Sequence, residues 1–86
     1  MPELCRFFGI IIRMFNNDHN PPHFHVIYGD DEALIDIGTL EVLYGHLPRR
    51  ALAIVLEWAA IHREMLQQNW ELASVGKPPL HMEPLE

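Results

Sequence analysis

The chain has 86 residues, enough for one small domain and too few for two. Its hydrophobic fraction of 49% and charged fraction of 21% are typical of folded globular proteins and argue against a disordered chain. Twelve acidic residues against six Lys and Arg give a formal net charge of −6, which argues against a large nucleic-acid interface. With Cys5 as its single cysteine, the chain cannot form an internal disulfide.

No apolar stretch approaches the roughly 20 residues that a membrane-spanning helix needs, and no basic segment followed by an apolar run indicates a signal peptide. We therefore expect a cytoplasmic protein with no membrane partner. The lone thiol fits a reducing compartment. Because so small a domain buries a limited core, we also expect stabilisation by a protein partner, a second copy or a bound metal.

The first half of the chain predicts short strands. Apolar and β-branched residues dominate its first two segments, and Gly9 between them suits a turn. Pro21-Pro22 then forces an extended backbone and excludes a helix. Residues 29–32, Gly-Asp-Asp-Glu, have the composition of a hairpin turn. The predicted strands, in chain order, are 4–8, 10–15, 23–28, 33–37 and, as a further candidate, 41–44.

The second half predicts one long helix, from about 48 to 75, of which 70–75 either continue the helix or form a short second one, followed by an extended tail over 77–86. Pro48 is a favourable first residue, and Gly76 a favourable stop. Between them, apolar side chains recur every three or four residues, as in a helix that buries one side. The order predicts an α+β fold of one domain, residues 1–86, in which the helix packs on one face of an antiparallel sheet of about four strands.

The predicted hairpin of residues 23–37 determines where two histidines point. We expect Tyr28 to pair with Ala33, and this register puts His25 directly opposite Asp36. Alternate residues of a strand point to the same side, so His23 and His25 share a face with Asp36, away from the core.

Residues 18–25, Asp-His-Asn-Pro-Pro-His-Phe-His, carry most of the polar chemistry in the chain. Two histidines two positions apart on a strand are suitably spaced to bind one ion, and three protein ligands with an open position form a catalytic type of zinc site. A divalent transition metal such as zinc is therefore the candidate cofactor. The candidate ligands are His19, His23, His25, Asp18 and Asp36.

Two other interpretations stay open. Without a metal, a His–Asp pair is a unit of general acid–base catalysis, and Arg13 or Tyr28 nearby could help it to cleave a phosphodiester. Arg49-Arg50 at the start of the helix is then the most evident binding site for a phosphate. Alternatively, the histidines only support the Pro-Pro turn, and the protein acts by binding a partner. The candidate catalytic residues are His19, His23, His25 and Asp36.

The run from Asp18 to Val26, followed by Tyr28-Gly29, resembles a bacterial family catalogued as domain of unknown function 4160. The likeness continues through segments 33–37, 45–48 and 50–51, and it reaches Trp58, His62-Arg63 and residues 69–73. The family often has Glu in place of Asp18, which is also an acid, and Asn in place of His46.

The resemblance implies a small stand-alone protein whose gene often lies beside another short gene, in arrangements similar to toxin–antitoxin pairs. We therefore expect a small interaction protein, one member of such a pair, that binds the neighbouring gene product or itself. The alternative is a histidine-dependent, metal-assisted phosphodiesterase or ribonuclease.

Overall fold

The computed structural model describes residues 3–16 and 18–85, so residues 1, 2, 17 and 86 of the predicted domain lie outside it. Five strands precede two helices, which confirms the predicted α+β class, with five strands in place of about four. The strands are β1 Glu3–Phe7, β2 Ile10–Arg13, β3 His23–Tyr28, β4 Asp31–Asp36 and β5 Val42–Gly45; the helices are α1 Arg49–Ile61 and α2 Arg63–Ser74.

The strands form one antiparallel sheet in chain order, β1 to β5. Phe7 pairs with Ile10, so Phe8 and Gly9 alone make the first turn, with φ values of 51° and 78°. Positive φ at both positions matches the twist of a two-residue hairpin, and Gly adopts it without a steric penalty. The predicted turn at Gly9 is confirmed.

The second hairpin is tighter than predicted. Tyr28 pairs with Asp31 and not with Ala33, so only Gly29 and Asp30 form the turn. Gly29 has a φ of 60°, as the first position of a two-residue hairpin turn favours. Asp31 and Glu32, which were expected in the turn, therefore begin strand β4.

This register corrects the predicted contact between His25 and Asp36. The shift is two residues, so every side chain keeps its predicted face, because side chains alternate with a period of two. The partners nevertheless change: Asp36 lies opposite His23, and His25 lies opposite Leu34.

One face of the sheet packs against the helices, as predicted. Trp58 of α1 is fully buried, and its ring centroid lies 5.5 Å from that of Phe7 and 6.2 Å from that of Phe24. The strand residues on the same face form the rest of this core layer and are almost completely buried: Ile10, Ile12, Val26, Ala33 and Ile35. Burial of these apolar side chains is the main stabilising contribution in so small a domain.

The predicted long helix is two helices that meet at His62, whose φ of −108° and ψ of 21° are not helical. The sequence has neither Gly nor Pro here to announce the break. The hydrogen bonds continue across it, because the His62 N–H donates to the Trp58 carbonyl and the His62 carbonyl accepts from Leu66. No helix in the described ranges is long and apolar enough to cross a membrane.

The tail that follows α2 has neither helix nor strand over residues 77–85 and is held by buried hydrogen bonds that the sequence did not reveal. The fully buried Asn69 side chain accepts the Leu80 N–H at 2.7 Å and donates to the Leu80 carbonyl at 3.2 Å. The Trp58 indole N–H donates to the Glu83 carbonyl at 2.8 Å. Met82, which lies between Leu80 and Glu83 in the chain, is fully buried. The tail is therefore part of the packed domain.

Cys5 is a buried free thiol. Burial raises the pKa of the Cys5 thiol above its ordinary value, so the nucleophilic thiolate is scarce at neutral pH. The histidines are therefore better candidates than Cys5 for catalytic or metal-binding side chains.

Candidate metal centre

Three of the predicted ligands converge. Asp18 Oδ2 lies 3.0 Å from His23 Nε2 and 2.9 Å from His25 Nε2. One possible ligand atom from each of the three residues lies within 4.8 Å of the other two. We call Asp18, His23 and His25 the His–Asp–His cluster.

The cluster combines a strand with the loop that leads into it. His23 and His25 are two positions apart in β3, so their side chains leave the same face of the sheet. Asp18 precedes the Pro21-Pro22 bend, which returns the chain towards β3. The peptide bond between Asn20 and Pro21 is cis.

The Nδ1 atoms of both histidines already have acceptors. His23 Nδ1 lies 2.8 Å from the Pro21 carbonyl oxygen, which can only accept, so this nitrogen carries the proton. His25 Nδ1 lies 3.3 Å from Glu32 Oε2, an acceptor when ionised. A neutral ring protonated at Nδ1 presents its Nε2 lone pair, and both Nε2 atoms face Asp18.

Aromatic rings enclose the two imidazoles. The His23 ring centroid lies 5.2 Å from that of Trp70 in α2, and the His25 ring lies edge-on to Phe15 at 4.3 Å. The exposed fraction of the side chain is 6% for His23, 12% for His25 and 24% for Asp18. The histidines are therefore held in a mostly apolar environment, and the carboxylate is the member most accessible to solvent.

The environment of Asp18 favours its charged form. Burial acts to raise the pKa of Asp18, but the hydrogen bond from His25 and the interactions with the charged forms of His23 and His25 outweigh it. The net effect is a pKa below the ordinary value, so the carboxylate is ionised at neutral pH.

The two Nε2 atoms and Asp18 Oδ2 can meet in two ways: through protons on Nε2, as in the hydrogen bond from His25 that lowers the pKa of Asp18, or through a cation that all three atoms bind. A single divalent ion satisfies all three donors at once. Metal-bound histidines usually donate their other ring N–H to a backbone carbonyl or a carboxylate, which are the partners that His23 and His25 have.

The other predicted site residues lie outside the cluster. His19 is exposed, and its contact with the site is a backbone N–H that donates to Asp18 Oδ1 at 3.3 Å. Asp36 lies opposite His23 in the sheet, but its Oδ1 accepts the Thr39 N–H at 2.9 Å and so stabilises the turn after β4. Arg49-Arg50 begins α1 and is exposed.

Sequence reasoning missed Glu32, Phe15 and Trp70. Glu32 was placed in the turn, but in β4 it reaches Nδ1 of His25. A two-residue turn at Gly29-Asp30, which hairpins favour, would have indicated this. No sequence signal pairs Phe15 with His25 or Trp70 with His23, because these contacts depend on the loop and helix positions.

Comparison with known proteins places the cluster within a shared region. A family model described as "Domain of unknown function (DUF4160)" matches residues 9–71. The matched region includes all three cluster residues together with Glu32 and Trp70. No curated protein and no solved structure is significantly similar to the chain.

Proposed function

The chain belongs to the DUF4160 family, whose description assigns no activity, and from this premise we propose that it is a divalent-metal protein that hydrolyses phosphodiesters. The ion, a transition metal such as zinc, is held by the His–Asp–His cluster. One observation carries the proposal: both Nε2 atoms face one carboxylate oxygen while both Nδ1 atoms have acceptors.

The donor set fits this chemistry. Two imidazoles and one carboxylate are the protein ligands of hydrolytic zinc sites, and the same set also binds iron in other enzymes. A zinc ion with an open position lowers the pKa of bound water to about 7, which supplies hydroxide at neutral pH. The contribution of this chain is to fix both imidazole tautomers through the Pro21 carbonyl and Glu32.

Isothermal titration with zinc tests the binding step. We expect one ion per chain for the wild type and an affinity roughly a hundredfold or more lower for the His23→Ala/His25→Ala double variant, since loss of second-shell partners alone costs about 10–100-fold. His19→Ala and His81→Ala replace exposed histidines outside the cluster and should leave the affinity unchanged.

Equal zinc binding by the double variant would exclude the cluster as the ligand set. Loss of binding in His19→Ala would move the site to the exposed part of the loop. If zinc binds as expected, cleavage of a fluorescent RNA by the wild type and by His19→Ala in the presence of zinc, and none by His23→Ala/His25→Ala under the same conditions, supports the hydrolytic step.

A second function, as an interaction protein and one member of a toxin–antitoxin-like pair, is favoured by strand β5. This edge strand is exposed along its whole length, and its apolar side chains Val42, Leu43 and Tyr44 are 41%, 44% and 74% exposed. The opposite edge, β1, carries instead the ion-paired Glu3 and Arg6. Charges protect an edge from strand addition, so β5 is the edge that invites a partner strand.

Co-purification with the product of the neighbouring gene tests this second function. We expect Leu43→Lys to reduce recovery of the partner about tenfold, because a charged side chain on the edge strand β5 opposes pairing with a strand of the partner. Val75→Lys is the matched control, since Val75 is 67% exposed but lies at the end of α2. Equal recovery with both variants would exclude β5 as the partner's binding edge.

A further inference from the structure

Arg13 has a buried donor without an acceptor. It is the last residue of β2 and lies opposite His25 in the β2–β3 register, so its side chain leaves the sheet on the same face as the cluster. Its Nε is buried and has no hydrogen-bond partner among residues 3–16 and 18–85. Buried donors without partners are rare in folded proteins, which makes this one informative.

The nearest acidic strand residue is already engaged. Glu3 lies opposite Arg13 in the β1–β2 register, but both of its carboxylate oxygens accept from Arg6, at 2.8 and 3.1 Å. No ion pair within the described residues includes Arg13. The Arg13 guanidinium, whose side chain leaves the sheet on the same face as the cluster, therefore keeps its capacity to bind an external anion.

The chemistry of the guanidinium indicates which anion. Its planar fork of N–H donors matches the spacing of two phosphoryl oxygens, whereas a lysine offers only a point charge. The carboxyl groups of Asp18 and Glu32 both lie against His25 and are unfavourable to an anion, so phosphate binding here requires a cation in the cluster.

We propose that Arg13 and the metal ion of the His–Asp–His cluster together bind the phosphoryl group of a phosphate ester. The inference rests on the proposed metal centre and names the residue that recognises its substrate class. It differs from the expectation that Arg49-Arg50 binds the phosphate, because those residues are exposed at the start of α1 and take no part in the hydrogen bonds and ion pairs of the cluster.

The probe is inorganic phosphate added to the protein loaded with one equivalent of cobalt(II), with ³¹P line broadening as the readout of binding near the ion. We expect phosphate to bind the wild type and to bind Arg13→Gln about tenfold to a hundredfold more weakly, as for the loss of a hydrogen bond to a charged group. Arg13→Lys should fall between them. The double variant Arg49→Gln/Arg50→Gln is the matched control and should bind as the wild type does.

Each outcome has one meaning. Cobalt uptake by Arg13→Gln at one ion per chain shows that this variant is folded with its centre intact. Wild-type phosphate affinity in that loaded variant overturns the role of Arg13 and leaves the metal centre standing. A loss of phosphate binding confined to Arg49→Gln/Arg50→Gln overturns the role of Arg13 and places the phosphate-binding site at the start of α1. Failure of the wild type to take up cobalt overturns the proposed metal centre, and this inference with it.

Discussion

Replacing Trp58 by alanine is expected to lower the free energy of unfolding by about 3–5 kcal/mol, the usual cost of deleting a large buried ring. Trp58 is fully buried against Phe7 and Phe24, and its indole N–H is the donor that holds the tail at Glu83. Domains of this size are stable by only roughly 4–13 kcal/mol, so the substitution should remove a large share of the free energy of unfolding.

Urea denaturation followed by circular dichroism measures this effect. Trp58→Phe is the control, because it keeps an aromatic ring against the sheet but removes the donor to Glu83. We expect it to cost about 1–3 kcal/mol, most of it from the carbonyl left without its partner. A loss below about 1 kcal/mol for Trp58→Ala would show that Trp58 does not anchor the helices and tail.

Zinc is expected to stabilise the folded protein by about 2.7 kcal/mol when its free concentration is a hundred times the dissociation constant. The reason is that the unfolded chain does not bring Asp18 and the two histidines together. For a domain of this length each kcal/mol moves Tm by about 4–8 °C, so the shift should be easily measured.

Thermal unfolding with buffered zinc, and again after addition of a chelator, measures the shift. Asp18→Asn is the sharpest control, since it keeps the shape of the side chain but removes the ionised ligand. We expect the zinc-dependent shift to be largely lost in this variant and to be fully retained in His19→Ala. A Tm that responds to zinc equally in all three proteins would point to binding outside the cluster.

Local sequence rules predicted much of the fold and part of the site. Spacing alone placed His23 and His25 on the same face of a strand, and this does not depend on the register with the neighbouring strands. The partners of the histidines could not be derived in the same way, because they depend on the length of the turn. A two-residue turn exchanges Asp36 for Leu34 opposite His25 and brings Glu32 to its ring.

Contacts between distant elements could not be predicted at all. The helical spacing of apolar residues continues through His62, and no Gly or Pro interrupts it. The break between α1 and α2 at His62 therefore has no signal in the local sequence. The fit of Asn69 to the backbone of Leu80 likewise depends on how the tail returns over α2. The position of Trp70 beside His23 follows from that helix arrangement.

A crystal structure of the protein grown with one equivalent of zinc, with anomalous data at the zinc absorption edge, tests the metal centre most directly. The account predicts a single strong anomalous peak at about 2.0–2.2 Å from His23 Nε2, His25 Nε2 and a carboxylate oxygen of Asp18. An empty cluster with the zinc peak at His19, His46 or His81 would contradict it.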